Sequence, residues 1–224
     1  MEKVFIIIPA YNEEKTLGGV LESLKKGGYH NLLVVNDGSR DGTQEVAERH
    51  GVIVLRHVMN RGLGGALGTG LQAAKELKVD IAVTFDADGQ HAVEDIRKVL
   101  EPIQKGEADV VIGSRLMNPE GMPWFRQLFN YVGNFMTFAL FGLWVSDSQS
   151  GLRGFSKKAL GKIQIRTNHM EVSSEIIREI RVNELRLREV PIRAIYTDYS
   201  LSKGQSLFVG VKTLFKLIMH RLMN

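Results

Sequence analysis

The chain has 224 residues, 44% of them hydrophobic and 24% charged, which is enough for one folded domain with a sizeable core and too little for two full ones. It contains no cysteine, which excludes disulfides, thiolate zinc sites and thiol nucleophiles and turns any metal site toward hard cations such as Mg2+ or Mn2+. The formal charge of +4 arises within residues 201–224, where Lys203, Lys212, Lys216 and Arg221 meet no Asp or Glu, so it suits an anionic surface rather than the broad basic face of a nucleic-acid binder.

Met1-Glu2-Lys3-Val4 lacks the basic start and cleavage site of a secretory signal, which places the protein in the cytoplasm. Val4-Phe5-Ile6-Ile7-Ile8 is a continuous apolar run ended by Pro9, and Leu32-Leu33-Val34-Val35 is a second, ended by Asn36-Asp37-Gly38-Ser39; both read as buried strands. Similar runs at 52–55, 81–85 and 110–112 alternate with helix-like segments near 13–26, 41–50, 63–77 and 92–104, which predicts βαβ units and a mostly parallel sheet. Ligands bind such sheets at the carboxyl ends of the strands. The polar punctuation sits at those ends, in Pro9-Ala10-Tyr11-Asn12-Glu13-Glu14, Asn36-Asp37-Gly38-Ser39, Asp86-Ala87-Asp88 and Gly113-Ser114-Arg115, so four loops are expected to converge on one cleft.

Glycines at 62, 64, 65, 68 and 70 open the third helix, but a dinucleotide fingerprint would need glycine where Leu67 stands, and close helix packing is the better reading. Beyond residue 115 an aromatic-rich helical region over 124–145 is followed by a mixed segment and by paired strand-like stretches at 185–190 and 192–196. Residues 135–145 are apolar except for Thr137, yet fall short of the ~20 needed to span a bilayer; they suit either a core helix or a greasy, membrane-facing acceptor groove. In the tail Leu207, Val211, Leu214, Phe215, Ile218 and Leu222 fall at helical spacing opposite Lys212, Lys216 and His220, a basic amphipathic pattern suited to lying on anionic lipid.

Carboxylates at i and i+2 on an extended segment point the same way, so Asp86 and Asp88 can hold one hard cation, with Gln90 as a further oxygen ligand and the remaining positions left to diphosphate and water. Arg115 and Arg126 flank Asn118-Pro119-Glu120-Gly121-Met122-Pro123, a loop able to order over substrate, and guanidinium groups match phosphate oxygens. No histidine pair suits zinc, and His91 is read as orienting the metal loop or capping.

Together with Asn60-Arg61-Gly62-Leu63-Gly64-Gly65-Ala66, Asp86-Ala87-Asp88-Gly89-Gln90-His91 and Ser150-Gly151-Leu152-Arg153-Gly154-Phe155, these loops resemble family 2 glycosyltransferases over roughly residues 3–200, and most of all the dolichyl- or polyprenyl-phosphate sugar synthases of the dolichol-phosphate mannosyltransferase kind. The resemblance implies a nucleotide-sugar-binding, Rossmann-like α/β fold (GT-A type), its mostly parallel sheet flanked by helices on both faces. It implies a glycosyltransferase domain over 1–200, with a donor half to about 115 and an acceptor half over 116–200, followed by the helix of 201–224. By the same resemblance Pro9, Tyr11, Glu13, Asp37 and Asp86 hold the nucleotide sugar, a GDP- or UDP-hexose, while Asp86, Asp88 and Gln90 hold Mg2+ or Mn2+. Arg115, Arg126 and Lys203 contact the acceptor phosphate, with Lys203 standing where mannosyl-phosphate synthases carry an arginine-containing loop. Asn36 replaces a common aspartate and is expected to alter base or ribose contacts.

The expected reaction is an inverting transfer to polyprenyl (dolichyl) phosphate by a peripheral enzyme on the inner membrane face, with Asp88 and Arg115 in the reacting centre and a membrane-protein partner left open. A phosphate acceptor is already anionic and needs no strong base. A sugar-hydroxyl acceptor would need one, with Asp147 leading and Glu171 and Glu175 behind it. A non-catalytic scaffold is the remaining alternative, opposed by the intact aspartate pair. A nucleotidyltransferase does not fit the acidic loop after the first strand.

Overall fold

The structure, a computed structural model, describes residues 2–120, 122, 124–193 and 195. The amphipathic tail of 201–224 and Lys203 lie outside the described residues. Strands β1 (Val4–Ala10), β2 (Leu32–Asn36), β3 (Ile53–Arg56), β4 (Ile81–Thr84), β5 (Val110–Ser114), β6 (Arg153–Ser156) and β7 (Leu187–Pro191) form one sheet in the order β3-β2-β1-β4-β6-β5-β7. Helices α1 (Leu17–Lys26), α2 (Thr43–Arg49), α3 (Gly62–Glu76), α4 (Asp95–Gln104), α5 (Trp124–Phe141), α6 (Lys157–Lys162) and α7 (Val172–Val182) connect them.

The apolar runs become strands because both faces of the sheet are covered, so each side chain has somewhere dry to go. Successive residues point to opposite faces. Thus Ile6, Ile8 and Val34 pack with α1, α2 and α4, whereas Phe5, Ile7, Leu33 and Val35 pack with α3, α6 and α7. Each fully buried Ile or Leu contributes about 1.5–3 kcal/mol. The expected helices on both faces and the expected mostly parallel sheet are both present.

Three expectations for the second half change. The mixed segment contains β6, which lies antiparallel between β4 and β5, with Arg153 opposite Thr84 on one side and Ile112 on the other. The stretch at 185–190 becomes β7, but it pairs parallel to β5, and Ile192, Arg193 and Ile195 form no second strand of a pair. Finally, α5 is no core helix: Trp124 is 75% exposed and Phe135 59%, whereas Asn134 and Thr137 are buried. The amide of Asn134 bonds Ser146 and Ser148, and Thr137 bonds Ser174 on α7 at 3.0 Å, so the polar face of α5 turns inward and the aromatic face outward.

The glycines of α3 do serve close packing. Cβ atoms on Gly62 and Gly64 would run into the backbone of residues 167–168, and Gly70 lies against Ile7. The loop is in turn held by Glu175, which accepts from the backbone N–H groups of Arg166 (2.9 Å) and Thr167 (3.0 Å) and from the Thr167 hydroxyl (2.6 Å).

Candidate active site

The loops after β1 and β2 are sewn together at the carboxyl edge of the sheet. Ser39 Oγ accepts from Asn12 N–H (3.0 Å), Asn12 Oδ1 from Arg40 N–H (2.9 Å), Thr43 Oγ1 from Glu13 N–H (2.8 Å), Asp41 from Glu14 N–H (3.2 Å) and Glu14 from Gly42 N–H (2.8 Å). Asn12 takes a left-handed φ of 55°, which a short amide side chain tolerates and which reverses the chain after the strand. Pro9 is buried beneath this floor, while the Tyr11 ring is 42% exposed above it. Glu13 is half-buried and accepts from the Thr16 hydroxyl at 2.9 Å.

Asp37 is brought to the same edge, but its carboxylate faces the β3–α3 loop. It accepts from Arg61 N–H at 2.9 Å and Gly62 N–H at 2.7 Å and pairs with His57 Nδ1 at 2.6 Å, while His57 Nε2 meets Thr69 Oγ1 at 2.9 Å. At 3% exposure it anchors the Asn60-Arg61-Gly62 segment. Gly38, with φ +71°, lets that segment lie directly on β2, since a Cβ there would strike Met59 and Asn60. Asn36 is likewise internal at 1% exposure, accepting from Ser39 N–H and donating to Gln44 (2.7 Å). Its amide thus serves the turn after β2.

Asp86 and Asp88 follow β4. His91 Nε2 meets Asp86 Oδ2 at 3.0 Å, with the ring edge-on to Phe85 at 5.6 Å, so His91 does orient the loop. Burial opposes ionisation of Asp86, but the His91 hydrogen bond and the charges of His91, Arg115 and Arg153 hold its carboxyl below the usual range. Burial and the neighbouring Asp86 charge push Asp88 up. Gln90 donates to Asp88 from its backbone N–H (3.0 Å) and its side-chain amide nitrogen, which leaves the amide oxygen as its donor atom toward a cation.

Two carboxylates and an amide oxygen are hard donors, and the mutual repulsion that raises Asp88 is what a divalent cation would relieve, so Asp86, Asp88 and Gln90 fit Mg2+ or Mn2+. Among the described residues no group of three or more His, Asp or Glu is placed to hold a metal.

Because β6 runs antiparallel, its beginning lies at the carboxyl ends of β4 and β5, between the metal loop and Arg115. Gly151 there sits so close to Asp86 that a Cβ would overlap the carboxylate. Asp147, fully buried, accepts from the Arg115 backbone N–H at 3.0 Å, from Nε at 2.8 Å and from Nη2 at 2.9 Å. This bidentate pair fixes the guanidinium plane. Arg126 is half-buried on the first turn of α5. Ser114 and Ser146 share a hydrogen bond of 2.6 Å, and Ser146 is held by Glu189 of β7. Ile195 N–H donates to the Gln90 carbonyl at 2.9 Å, which brings the segment after β7 to the metal loop.

Sequence reasoning passed over His57 and Arg153 as site residues. A histidine within a loop carries no pattern until its partner, twenty positions away, is known. Arg153 carried the signal of its motif but no role.

Residues 5–164 match the family described as Glycosyl transferase family 2. The chain belongs to that family. It is 42% identical over 238 residues to the UDP-N-acetylglucosamine--dolichyl-phosphate N-acetylglucosaminyltransferase of Methanococcus voltae, covering 96% of this chain and 95% of that one. It is 31% identical over 220 residues to the undecaprenyl-phosphate mannosyltransferase of Micrococcus luteus, covering 93% and 90%. Among solved structures, glucosyl-3-phosphoglycerate synthase from Mycobacterium tuberculosis, crystallised with Mn2+, UDP and phosphoglyceric acid, superposes with a TM-score of 0.74 at 20% identity, over 98% of this chain and 78% of that one. The fold is thus the GT-A glycosyltransferase fold, and the chain is a family 2 glycosyltransferase near the polyprenyl-phosphate sugar synthases.

Proposed function

We propose that the protein transfers a hexose or its N-acetylamino derivative, with inversion, from a nucleotide diphosphate sugar to a polyprenyl phosphate at a membrane surface, with residues 1–115 forming the donor half and 116–200 the acceptor half. The observation that carries this reading is the state of the acids. A hydroxyl acceptor needs a base within hydrogen-bonding reach. Asp147, the leading candidate, is buried and paired bidentately with Arg115, and Glu175 is engaged by the loop at 166–167. A phosphate monoester, with a second pKa of ~6, arrives already ionised and needs no base.

In this reading Tyr11 and Glu13 line the nucleoside floor with Pro9 supporting it from beneath, while Asp37 acts behind it by holding the Asn60-Arg61-Gly62 segment. A phosphate oxygen of the acceptor attacks the anomeric carbon as the bond to the donor's diphosphate breaks, and the diphosphate leaves with the electron pair. Arg115, held in orientation by Asp147, supplies fixed positive charge for acceptor and departing phosphates, and Arg126 and Lys203 are its proposed companions on the acceptor side. Asp147 thereby becomes a positioning residue. The divalent ion, when bound by Asp86, Asp88 and Gln90, neutralises diphosphate charge. The exposed aromatic face of α5 supports a lipid acceptor, because Trp, Tyr and Phe favour the membrane interface. Among the described residues no helix is long and apolar enough to cross a membrane. The similarity to the Methanococcus voltae enzyme over nearly the whole of both chains favours UDP-N-acetylglucosamine as donor.

The test is incubation of the protein and an Asp88→Ala control with labelled UDP-N-acetylglucosamine, UDP-glucose or GDP-mannose, Mn2+ and polyprenyl phosphate, followed by extraction. Label should enter the organic phase from the UDP-N-acetylglucosamine reaction, and only with the unmodified protein. Donor turnover onto a free sugar hydroxyl with unlabelled lipid would overturn the reading.

A further inference from the structure

Helix α5 turns its aromatic face outward, so the polar side chains it keeps inside need a reason. Asn134, 1% exposed, lies against the segment of residues 146–148. Its Oδ1 accepts from the Ser148 backbone N–H at 2.9 Å and from the Ser148 hydroxyl at 2.8 Å, and its Nδ2 donates to the Ser146 carbonyl. A backbone N–H can only donate and a carbonyl can only accept, so these partners fix which way the amide points. The same tripeptide is gripped from two other elements. Glu189 of β7 accepts from the Ser146 N–H at 2.8 Å and from its hydroxyl at 2.7 Å, and Arg153 of β6 donates to the Ser148 carbonyl at 2.8 Å. The backbone N–H and C=O groups of Ser146 and Ser148 are thereby all engaged. Asp147 stands between them, its carboxylate on Arg115 at 3.0 Å from the backbone N–H, 2.8 Å from Nε and 2.9 Å from Nη2.

We infer that Asn134 is a positioning residue for the acceptor side: it fixes residues 146–148 and, through Asp147, sets the Arg115 guanidinium that meets the acceptor phosphate in the proposed reaction. Glu189 and Arg153 hold the segment from strands of the sheet, whereas Asn134 holds it from the helix that carries Arg126 and the exposed aromatic side chains. The placement of α5 and that of Arg115 are thus tied together by hydrogen bonds. An amide that served packing alone could give way to a leucine of similar size at a cost in stability, from the Ser146 and Ser148 groups left unpaired, with no change at Arg115. A positioning amide demands more. Without it the 146–148 segment shifts, Asp147 moves with it, and Arg115 loses the orientation that a bidentate pair gives it. The loops of β1 and β2 that floor the donor site are held by their own hydrogen bonds, so the effect falls on the acceptor.

The inference rests on the proposed transfer reaction for its kinetic arm only; the state of the Arg115 side chain is read without substrate. Asn134→Leu would be compared with the unmodified protein by NMR of the arginine Nε–H groups, the Arg115 signal being the one lost in Arg115→Lys. Tm, UDP affinity with Mn2+, and KM for polyprenyl phosphate would be measured alongside. Asn134→Leu is expected to shift or broaden away the Arg115 Nε–H signal, to raise KM for polyprenyl phosphate about tenfold and to leave UDP affinity within about twofold. A folded Leu variant whose Arg115 signal stays in place overturns the inference, whatever its Tm, and so does a moved signal with acceptor KM within about twofold of the unmodified protein. A fall in UDP affinity as large as the rise in KM marks general damage and likewise overturns it. Should the Leu variant not fold, Ser148→Ala decides, because it removes only the hydroxyl that binds Asn134 Oδ1. A moved Arg115 signal in that variant supports the inference and an unmoved one overturns it. If the unmodified protein labels no lipid, the transfer reading fails separately and the Arg115 signal still judges Asn134.

Discussion

Asp86 and Asp88 carry the same group two residues apart, and their surroundings push them in opposite directions. The hydrogen bond and nearby cations that overcome burial at Asp86 keep it ionised, whereas burial and the adjacent negative charge raise Asp88. A group whose folded pKa is raised contributes stability that is present below its unfolded pKa of ~3.9 and lost as pH rises through the folded pKa. At neutral pH an ionised Asp88 therefore costs the metal-free protein stability. Asp88→Asn should raise the metal-free Tm by about 2–4 °C, on the order of 1 kcal/mol for a chain of this size, while abolishing transfer. The gain should close as pH falls through the folded pKa of Asp88, and thermal melts across pH read both features. An Asn variant less stable than the unmodified protein at neutral pH would contradict the assignment of strain to this carboxylate. The aspartate pair was legible in the sequence as two carboxylates closing an apolar run, although the structure sets them on a turn and not on the extended segment expected. The state of Asp37 and Asp147 was not, because their partners lie 20 to 32 positions away and chain closure, not local pattern, brings them together.

At the scale of elements, the first five strands were legible because five apolar runs alternate with helical segments. β6 was not: Arg153-Gly154-Phe155-Ser156 has neither an apolar run nor a clean alternation, and its arginine reads as surface. It is a strand because β4 and β5 present open edges on either side, and Gly154 leaves room for Val99 and Ile103 of α4. For residues 135–145 the sequence left two readings, and the exposure of Phe135, Phe138 and Trp144 opposes a core helix; earlier on α5 Trp124, Leu128, Tyr131 and Val132 are exposed as well. Since these side chains do not build the core, the double change Trp124→Ser with Phe135→Ser should leave Tm nearly unaltered, in the range of ordinary surface substitutions, within about 0.5 kcal/mol each. If α5 meets lipid, the same variant should lose most of its co-sedimentation with anionic vesicles and raise KM for vesicle-borne polyprenyl phosphate about tenfold, with donor affinity unchanged. Full vesicle binding by the variant would assign membrane contact to another part of the chain, the basic tail first.

Across the whole molecule the loops of β1 and β2 are stitched together by hydrogen bonds, whereas the loop of β4 sets two carboxylates in mutual repulsion. Asp86, Asp88 and Gln90 offer a hard cation two carboxylates and an amide oxygen, fewer than the six ligands such an ion takes. Water or a diphosphate can supply the rest. Diphosphate oxygens bring negative charge that water does not, so metal and nucleotide should each bind better when the other is present. Linkage requires the two gains to be equal. UDP affinity should rise at least tenfold with saturating Mn2+, and Mn2+ affinity should rise by the same factor with saturating UDP, about 1.4 kcal/mol of coupling by calorimetry. Chelation should weaken UDP binding without unfolding the protein, because the strand pairing of β1 and β2 and the hydrogen bonds of their loops do not run through Asp86, Asp88 or Gln90. Tight Mn2+ binding that is indifferent to UDP would mean that the protein completes the coordination itself, and the incomplete site described by Asp86, Asp88 and Gln90 would be wrong.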